Sequence, residues 1–264
     1  MKNAPVGPVG WRGRFLFALL GYVFRGKSPA GFRCWQAAWA RAKAMKKKIA
    51  WALCLGLGCL TLAGCSGSSE PFEAKTYTPE GKVQGVQLDV EDREVEVALS
   101  PDGQVHIQYR ENSKEFYEIA LTDGNVLTMT SATNKEWTDY IGVSASSEDR
   151  KITVQVPDGL LDSLEISTTN EDITLPALAV TGSVSLSSNG GDVSFGNLSV
   201  GSGLTLNSKN GDITGTVVGS YDGFAITSNV KKGESTLSDS KEGGEKTLDV
   251  TCNNGDVEVS FVEG

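Results

Sequence analysis

Short runs of alternating apolar and polar residues fill the chain from residue 77 onward, separated by Asn, Gly and Asp. A period of two belongs to half-buried strands, and after residue 70 no stretch calls for a helix longer than a turn. In the last hundred residues the runs align on themselves. LEISTTNEDITL from Leu164, VSLSSNGGDVSF from Val184, LTLNSKNGDITG from Leu204, FAITSNVKKGEST from Phe224 and LDVTCNNGDVEV from Leu248 share one plan. Each is a strand, a turn built on Asn and Gly, an acid, and a second strand. The acids Asp172, Asp192, Asp212, Glu234 and Asp256 are spaced by 20, 20, 22 and 22 residues.

A repeat of that length made only of strands predicts an all-β parallel β-solenoid, with about five coils of 20–24 residues over 161–264. Alternation puts Leu164 and Ile166, Val184 and Leu186, Leu204 and Leu206, Phe224 and Ile226, and Leu248 and Val250 on one inward face. The second strands contribute Ile173, Leu175, Val193, Phe195, Ile213, Val257 and Val259, and Pro176 falls between strands. Residues 77–160 alternate less regularly, at 86–90, 94–97, 105–109, 116–120 and 152–156, and are expected to cap the solenoid's open edge. Together 77–264 is expected to form one continuous domain.

Charge divides the chain at Cys65. Residues 1–64 hold eleven Lys or Arg and no acid; the remaining 13 of the 24 basic residues share 65–264 with all 33 acids, a formal charge near −20. Such a surface repels phosphate backbones, which excludes a nucleic-acid partner. Met45-Lys46-Lys47-Lys48 is a basic start and Ile49–Leu62 an apolar run of secretory-signal length. Leu62-Ala63-Gly64-Cys65 then closely resembles the lipobox of bacterial lipoproteins, with Cys65 the lipidated residue. Residues 1–64 are therefore expected to be removed, with translation beginning at Met45, and 65–76 to be a lipidated cysteine and polar tether. The expected location is extracytoplasmic, held to the cell membrane or outer membrane by lipid.

Cleavage would leave Cys252 as the second cysteine, with no pair for an intramolecular disulfide, and its strand context suggests a half-buried thiol. The single histidine, His106, alternates with Val105 and Ile107 and is expected to be a surface or half-buried side chain. Three roles are open to the repeat acids: accepting backbone N–H groups in their own turns, projecting into solvent, or holding Ca²⁺. The last needs six to eight oxygens, and the nine-residue calcium-binding repeat is missing, so no metal and no cofactor is expected. Nothing singles out a catalytic pair among the 33 acids, so no enzyme is expected. Trp137 and Tyr140, in the loop-like Glu136–Tyr140, are the candidate ligand patch.

The run ITVQVP at 152–157, LDSLEIST at 161–168 and the NGD turns at Asn210 and Asn254 resemble the DUF4097 family of bacterial adhesin-like surface proteins, over roughly 77–264. The resemblance implies a β-solenoid-type domain and carries no catalytic motif. Glu171 in place of Gly, the extra Gly190 and the irregular fourth coil with Lys231-Lys232 depart from its pattern. Two functions are implied: a surface module binding a glycan, a matrix protein or an envelope protein, or an envelope structural or stress-signalling partner acting within the wall or periplasm.

Overall fold

The structure, a computed structural model, describes residues 70–137 and 145–264. Residues 1–64 with the lipobox residues Leu62, Ala63 and Gly64, then Cys65, and the patch residue Tyr140 lie outside the described residues.

Alternating side chains need a second face to pack against, and two sheets supply it for each other. Sheet I runs, in hydrogen-bonded order, β1 (Glu73–Tyr77), β4 (His106–Glu111), β7 (Lys151–Val156), β3 (Glu94–Leu99), β9 (Ile173–Leu175), β12 (Val193–Val200), β14 (Ile213–Val218) and β18 (Val257–Val262), with β10 (Leu178–Val180) also beside β12. Sheet II runs β16 (Ser240–Lys241), β15 (Phe224–Val230), β17 (Lys246–Cys252), β13 (Gly203–Ser208), β11 (Ser183–Ser188), β8 (Ser163–Thr168), β2 (Gly85–Asp89), β6 (Val126–Thr133) and β5 (Glu115–Leu121). The coils of β8, β11, β13 and β17 each place one strand in sheet II, turn through an Asn-containing corner, and place the next in sheet I; β15 is followed by an isolated bridge from Ser235 to Val257. Single 3₁₀ turns occur at Glu148–Arg150 and Tyr221–Gly223. This is the β-solenoid the repeat predicts.

In-register parallel pairing turns the repeat into apolar columns. Met129, Leu88, Ile166, Leu186, Leu206 and Val250 lie side by side across sheet II. Facing them across sheet I are Ile152, Val95, Ile173, Val193, Ile213 and Val257. All twelve are at most 1% exposed. At about 1.5–3 kcal/mol for each fully buried aliphatic side chain, these columns supply a large share of the driving force.

Three features differ from the expected layout. First, β1 begins at Glu73, so residues 73–76, expected in the tether, already form an ordered strand paired with β4. Second, most of 85–156 is solenoid and not cap. Strands β2 and β3 form one layer and β6 and β7 another, both parallel and in register with the repeats. Only β1, β4 and β5 join antiparallel at that end. Third, the layers are not stacked in chain order. The β6/β7 layer lies beneath β2/β3, and the last coil, β17/β18, is inserted between β13/β14 and β15. Thus β15 is the outermost long strand, and Ser228 occupies its inward position opposite Val250. Ser228 bonds to Ser235 at 3.3 Å and Leu237 covers that end, 6% exposed.

The exposed ends are blunted. Beside β15 lies only the two-residue β16. The edge of β18 is occupied by Thr236, whose Oγ1 accepts from Val259 N at 2.9 Å while its own N–H donates to Val257 O at 2.9 Å. Unpaired strand edges recruit other strands, and both devices close this one.

Candidate functional site

The corner after each sheet II strand carries the repeat acids. Their backbone N–H groups point along the stack, and the equivalent carboxylate of the adjoining layer receives each one. Asp172 Oδ1 accepts from Asp192 N, Asp192 Oδ1 from Asp212 N, Asp212 Oδ1 from Asp256 N and Asp256 Oδ1 from Glu234 N, each at 2.8 Å. The acceptors thus serve the next layer and not their own turn, and the ladder follows the interleaved order, with Asp256 before Glu234. Carboxylates at strand spacing repel by about 0.9 kcal/mol per neighbouring pair in water-like dielectric. A hydrogen bond to a charged group contributes about 1.5–3 kcal/mol, so the ladder is net stabilising.

Glycine beside each acid permits that approach. A Cβ on Gly191 would lie 2.3 Å from Glu171 O, one on Gly211 2.3 Å from Gly191 O, one on Gly255 2.3 Å from Gly211 O, and one on Gly233 2.0 Å from Gly255 O. Glu171 stands at the base of this column, where the next layer is the differently shaped β2–β3 turn. Its carboxylate pairs with Arg150 at 2.6 Å.

Inside the corner a second column carries hydroxyls. Thr168 Oγ1 donates to Arg93 O at 2.7 Å, Ser188 Oγ to Glu171 O at 3.0 Å and Ser208 Oγ to Gly191 O at 3.5 Å. Cys252 holds the same place in the last coil, with Sγ 3.5 Å from Gly211 O and 3.3 Å from Gly255 O. It is fully buried rather than half-buried. Burial, with Asp212 and Asp256 adding negative charge nearby, pushes the thiol above its ordinary value. A thiol kept protonated is a poor nucleophile.

The antiparallel end holds a network with no counterpart in the repeats. Arg93, 5% exposed, donates from Nε to Tyr117 Oη, from Nη2 to Glu115 at 2.7 Å, and from Nη1 to the carbonyls of Glu91 and Asp92. Glu115 also binds Lys135 at 2.6 Å, and Glu111 pairs with Lys75 at 2.7 Å. Burial opposes the Arg93 charge, but Tyr117 and Glu115 outweigh it and raise its pKa. Burial likewise opposes the Glu115 charge, and Lys135 and Arg93 prevail and lower it. Burial raises the Tyr117 phenol. Beside this network lies an open polar hollow of about 350 Å³, lined by Glu70, Glu73, Lys75, Glu111, Asn112, Ser113, Phe116 and Asn134. Glu70 is fixed there: its carboxylate accepts from Ser113 N and Oγ, and its carbonyl from Asn112 Nδ2. Trp137, three residues beyond Asn134, has 75% of its surface exposed.

His106 is half-buried and bridges two segments. Its Nδ1 meets Thr78 Oγ1 at 2.7 Å and its Nε2 meets Asp102 at 3.0 Å. Asp102 also accepts from Gln104 N at 3.0 Å and Ser100 Oγ at 2.8 Å. The Gln104 amide and His106 hold its carboxyl down at about 2. A hydroxyl–imidazole–carboxylate line is the arrangement of a nucleophile relay, yet this carboxylate is exposed and closes its own turn. The set ties the end of β1 to the β3–β4 turn. Among the described residues no group of three or more His, Cys, Asp or Glu could hold a metal ion. The repeat acids, the interior hydroxyls and the Arg93 network are thus all engaged in holding layers together.

A layered β-solenoid whose polar side chains lock its coils is the class these features define. Residues 83–261 match the family model described as Toastrack DUF4097, and the chain belongs to that family. A candidate cell adhesion protein from Clostridium sporogenes shares the fold at 10% identity and a TM-score of 0.50, covering 73% of this chain and 100% of its own. Candidate adhesins from Bacteroides fragilis (13% identity, TM-score 0.31, covering 74% of this chain and 98% of that one) and Parabacteroides distasonis (12%, 0.26, 73% and 97%) also match. No curated protein matches the chain.

Proposed function

We propose that this protein is a lipid-anchored extracytoplasmic lipoprotein whose solenoid binds and does not catalyse. The observation that carries the reading is the engagement of the repeat acids: each of Asp172, Asp192, Asp212 and Asp256 holds the backbone of the adjoining layer at 2.8 Å. What remains outward on sheet II is an array of polar side chains, many of them Ser or Thr. Across its central row stand Thr128, Gln87, Glu165, Ser185, Thr205, Asp249 and Thr227. Such a face suits a glycan, a matrix protein or an envelope protein. Likeness to adhesin-like proteins supports a surface binding module, and among the described residues no helix is long and apolar enough to cross a membrane. The lipobox Leu62-Ala63-Gly64-Cys65 supplies the anchor at Cys65, with residues 1–64 removed.

Two measurements test this. Cells fed labelled palmitate incorporate label into the protein, and Cys65→Ser abolishes it; label retained in that variant overturns the anchor. Protease shaving of intact cells removes an epitope within 164–264 if the solenoid faces outward. Protection until the wall is digested supports instead action within the envelope. The fixing of Glu70 only five residues past Cys65 favours that second placement, because it leaves a short reach from the bilayer.

A further inference from the structure

We propose that the antiparallel end of the solenoid lies against the bilayer that holds Cys65, with the Trp137 indole seated at the headgroup level. This rests on the reading that Cys65 is lipidated. Glu70 lies five residues past Cys65, and a fully extended chain over those five steps reaches at most about 18 Å. Glu70 is not free to add to it, because Ser113 and Asn112 hold it on the β4–β5 turn. The anchor therefore draws one particular end of the solenoid to the membrane surface.

Trp137 stands at that same end. Asn134 lines the hollow together with Glu70, and it bonds to Ser113 O at 3.3 Å and to Lys114 O at 2.9 Å. Trp137 follows three residues later, so it lies within about 11 Å of Asn134. It is 75% exposed, the most exposed large apolar side chain among the described residues. An indole has an apolar body and one N–H donor, the combination that collects at membrane–water interfaces. The chain beyond Cys65 is strongly acidic, yet at this end Glu111 and Glu115 are paired with Lys75, Arg93 and Lys135. Those pairs offset two of the carboxylates at this end, while Glu70 and Glu73 on the same hollow stay with the hydrated headgroups.

Trp137 is the single tryptophan after Cys65, so intrinsic fluorescence reports this side chain alone. The test uses the lipoprotein purified from membranes and reconstituted in phosphatidylcholine vesicles with or without bromine in the acyl chains. Mass spectrometry of the N-terminal peptide is run on the same sample. Expected are a blue-shifted emission relative to the same chain begun at residue 66, which lacks the lipid and the four tryptophans before Cys65, mixed with the same vesicles, and loss of more than half the intensity with brominated lipid. Emission at the exposed-indole position, quenched by aqueous acrylamide and not by bromine on a peptide that carries lipid, overturns the membrane contact and leaves the anchor standing. Emission that moves only on adding polysaccharide also overturns it and makes Trp137 a sugar platform. A peptide without lipid sinks the anchor, and the bilayer contact falls with it.

Discussion

Gly211→Ala tests whether the corner ladder sets the spacing of the layers. The new Cβ would sit 2.3 Å from Gly191 O, 2.5 Å from its carbonyl carbon and 2.9 Å from Asp192 Oδ1. Two of those three atoms are backbone, clamped by the bonds from Asp212 N to Asp192 Oδ1 at 2.8 Å and from Val193 N to Asp212 O at 2.9 Å. Relief needs the layers to part by about 1 Å at this corner, which takes the 2.8 Å bond beyond hydrogen-bonding range. Losing that charge-assisted bond costs about 1.5–3 kcal/mol and the overpacking itself about 1–3 kcal/mol. The expected loss is then about 2.5–6 kcal/mol, a fall in Tm of roughly 5–24 °C for a domain of this size. Gly223→Ala is the control: no atom lies within 4 Å of its added Cβ, and its effect should stay within about 0.5 kcal/mol. Urea unfolding followed by circular dichroism and by Trp137 fluorescence measures both, two probes being needed because stacked layers need not unfold together. A Gly211→Ala protein as stable as Gly223→Ala would refute the claim that backbone contact, rather than side-chain packing, spaces the corners.

Cys252 should resist a thiol reagent in the native protein and react only after unfolding, since it is fully buried with a raised pKa; rapid native labelling would contradict the interior column. Arg93→Ala should cost about 3–5 kcal/mol by stranding Glu115 and Tyr117, and Arg93→Lys should recover little, because one ammonium cannot replace the forked contacts. Thermal melts decide, and a Lys variant of wild-type stability would reject the network. The Asp102 carboxyl should titrate near about 2 by NMR and move toward its model value of 3.8 in His106→Ala. Because its folded pKa is depressed, whatever its contacts add to stability is present above pH 4 and lost as pH falls through about 2. An unchanged midpoint in the variant would mean that the imidazole does not contribute.

The strand pairs were readable because Leu164 and Ile166, and their equivalents every coil, each bury in one direction. Layer order was not, since Phe224–Ile226 and Leu248–Val250 present the same local pattern and either could follow β13. One signal was available: Ser228 stands where Ile166, Leu186, Leu206 and Val250 are apolar, as suits an outermost layer. The coils in 85–156 escaped notice because β4 and β5 interrupt them, separating strands that share a layer register. The acids were legible as turn residues but not as partners of the next coil, because spacing along a chain does not show which way an N–H points. Arg93 and Glu115, 22 residues apart, meet only through the fold. Trp137, read from sequence as a ligand residue, is 75% exposed, while the placing of Asn134, three residues before it, on one hollow with Glu70 came only from the structure.

The interleaved top of the stack has a consequence for how the chain becomes a solid object. In a solenoid built in order, each coil can settle on the one before it as synthesis proceeds. Here β15 has no seat until β17 and β18 arrive, because its parallel neighbour in sheet II is β17. A chain that has emerged only through residue 245 has a slot where its penultimate layer belongs, and residues 246–262 close it as a keystone closes an arch. Under the export proposed above, the arrangement keeps the final layers from locking before strands β17 and β18 are through the channel.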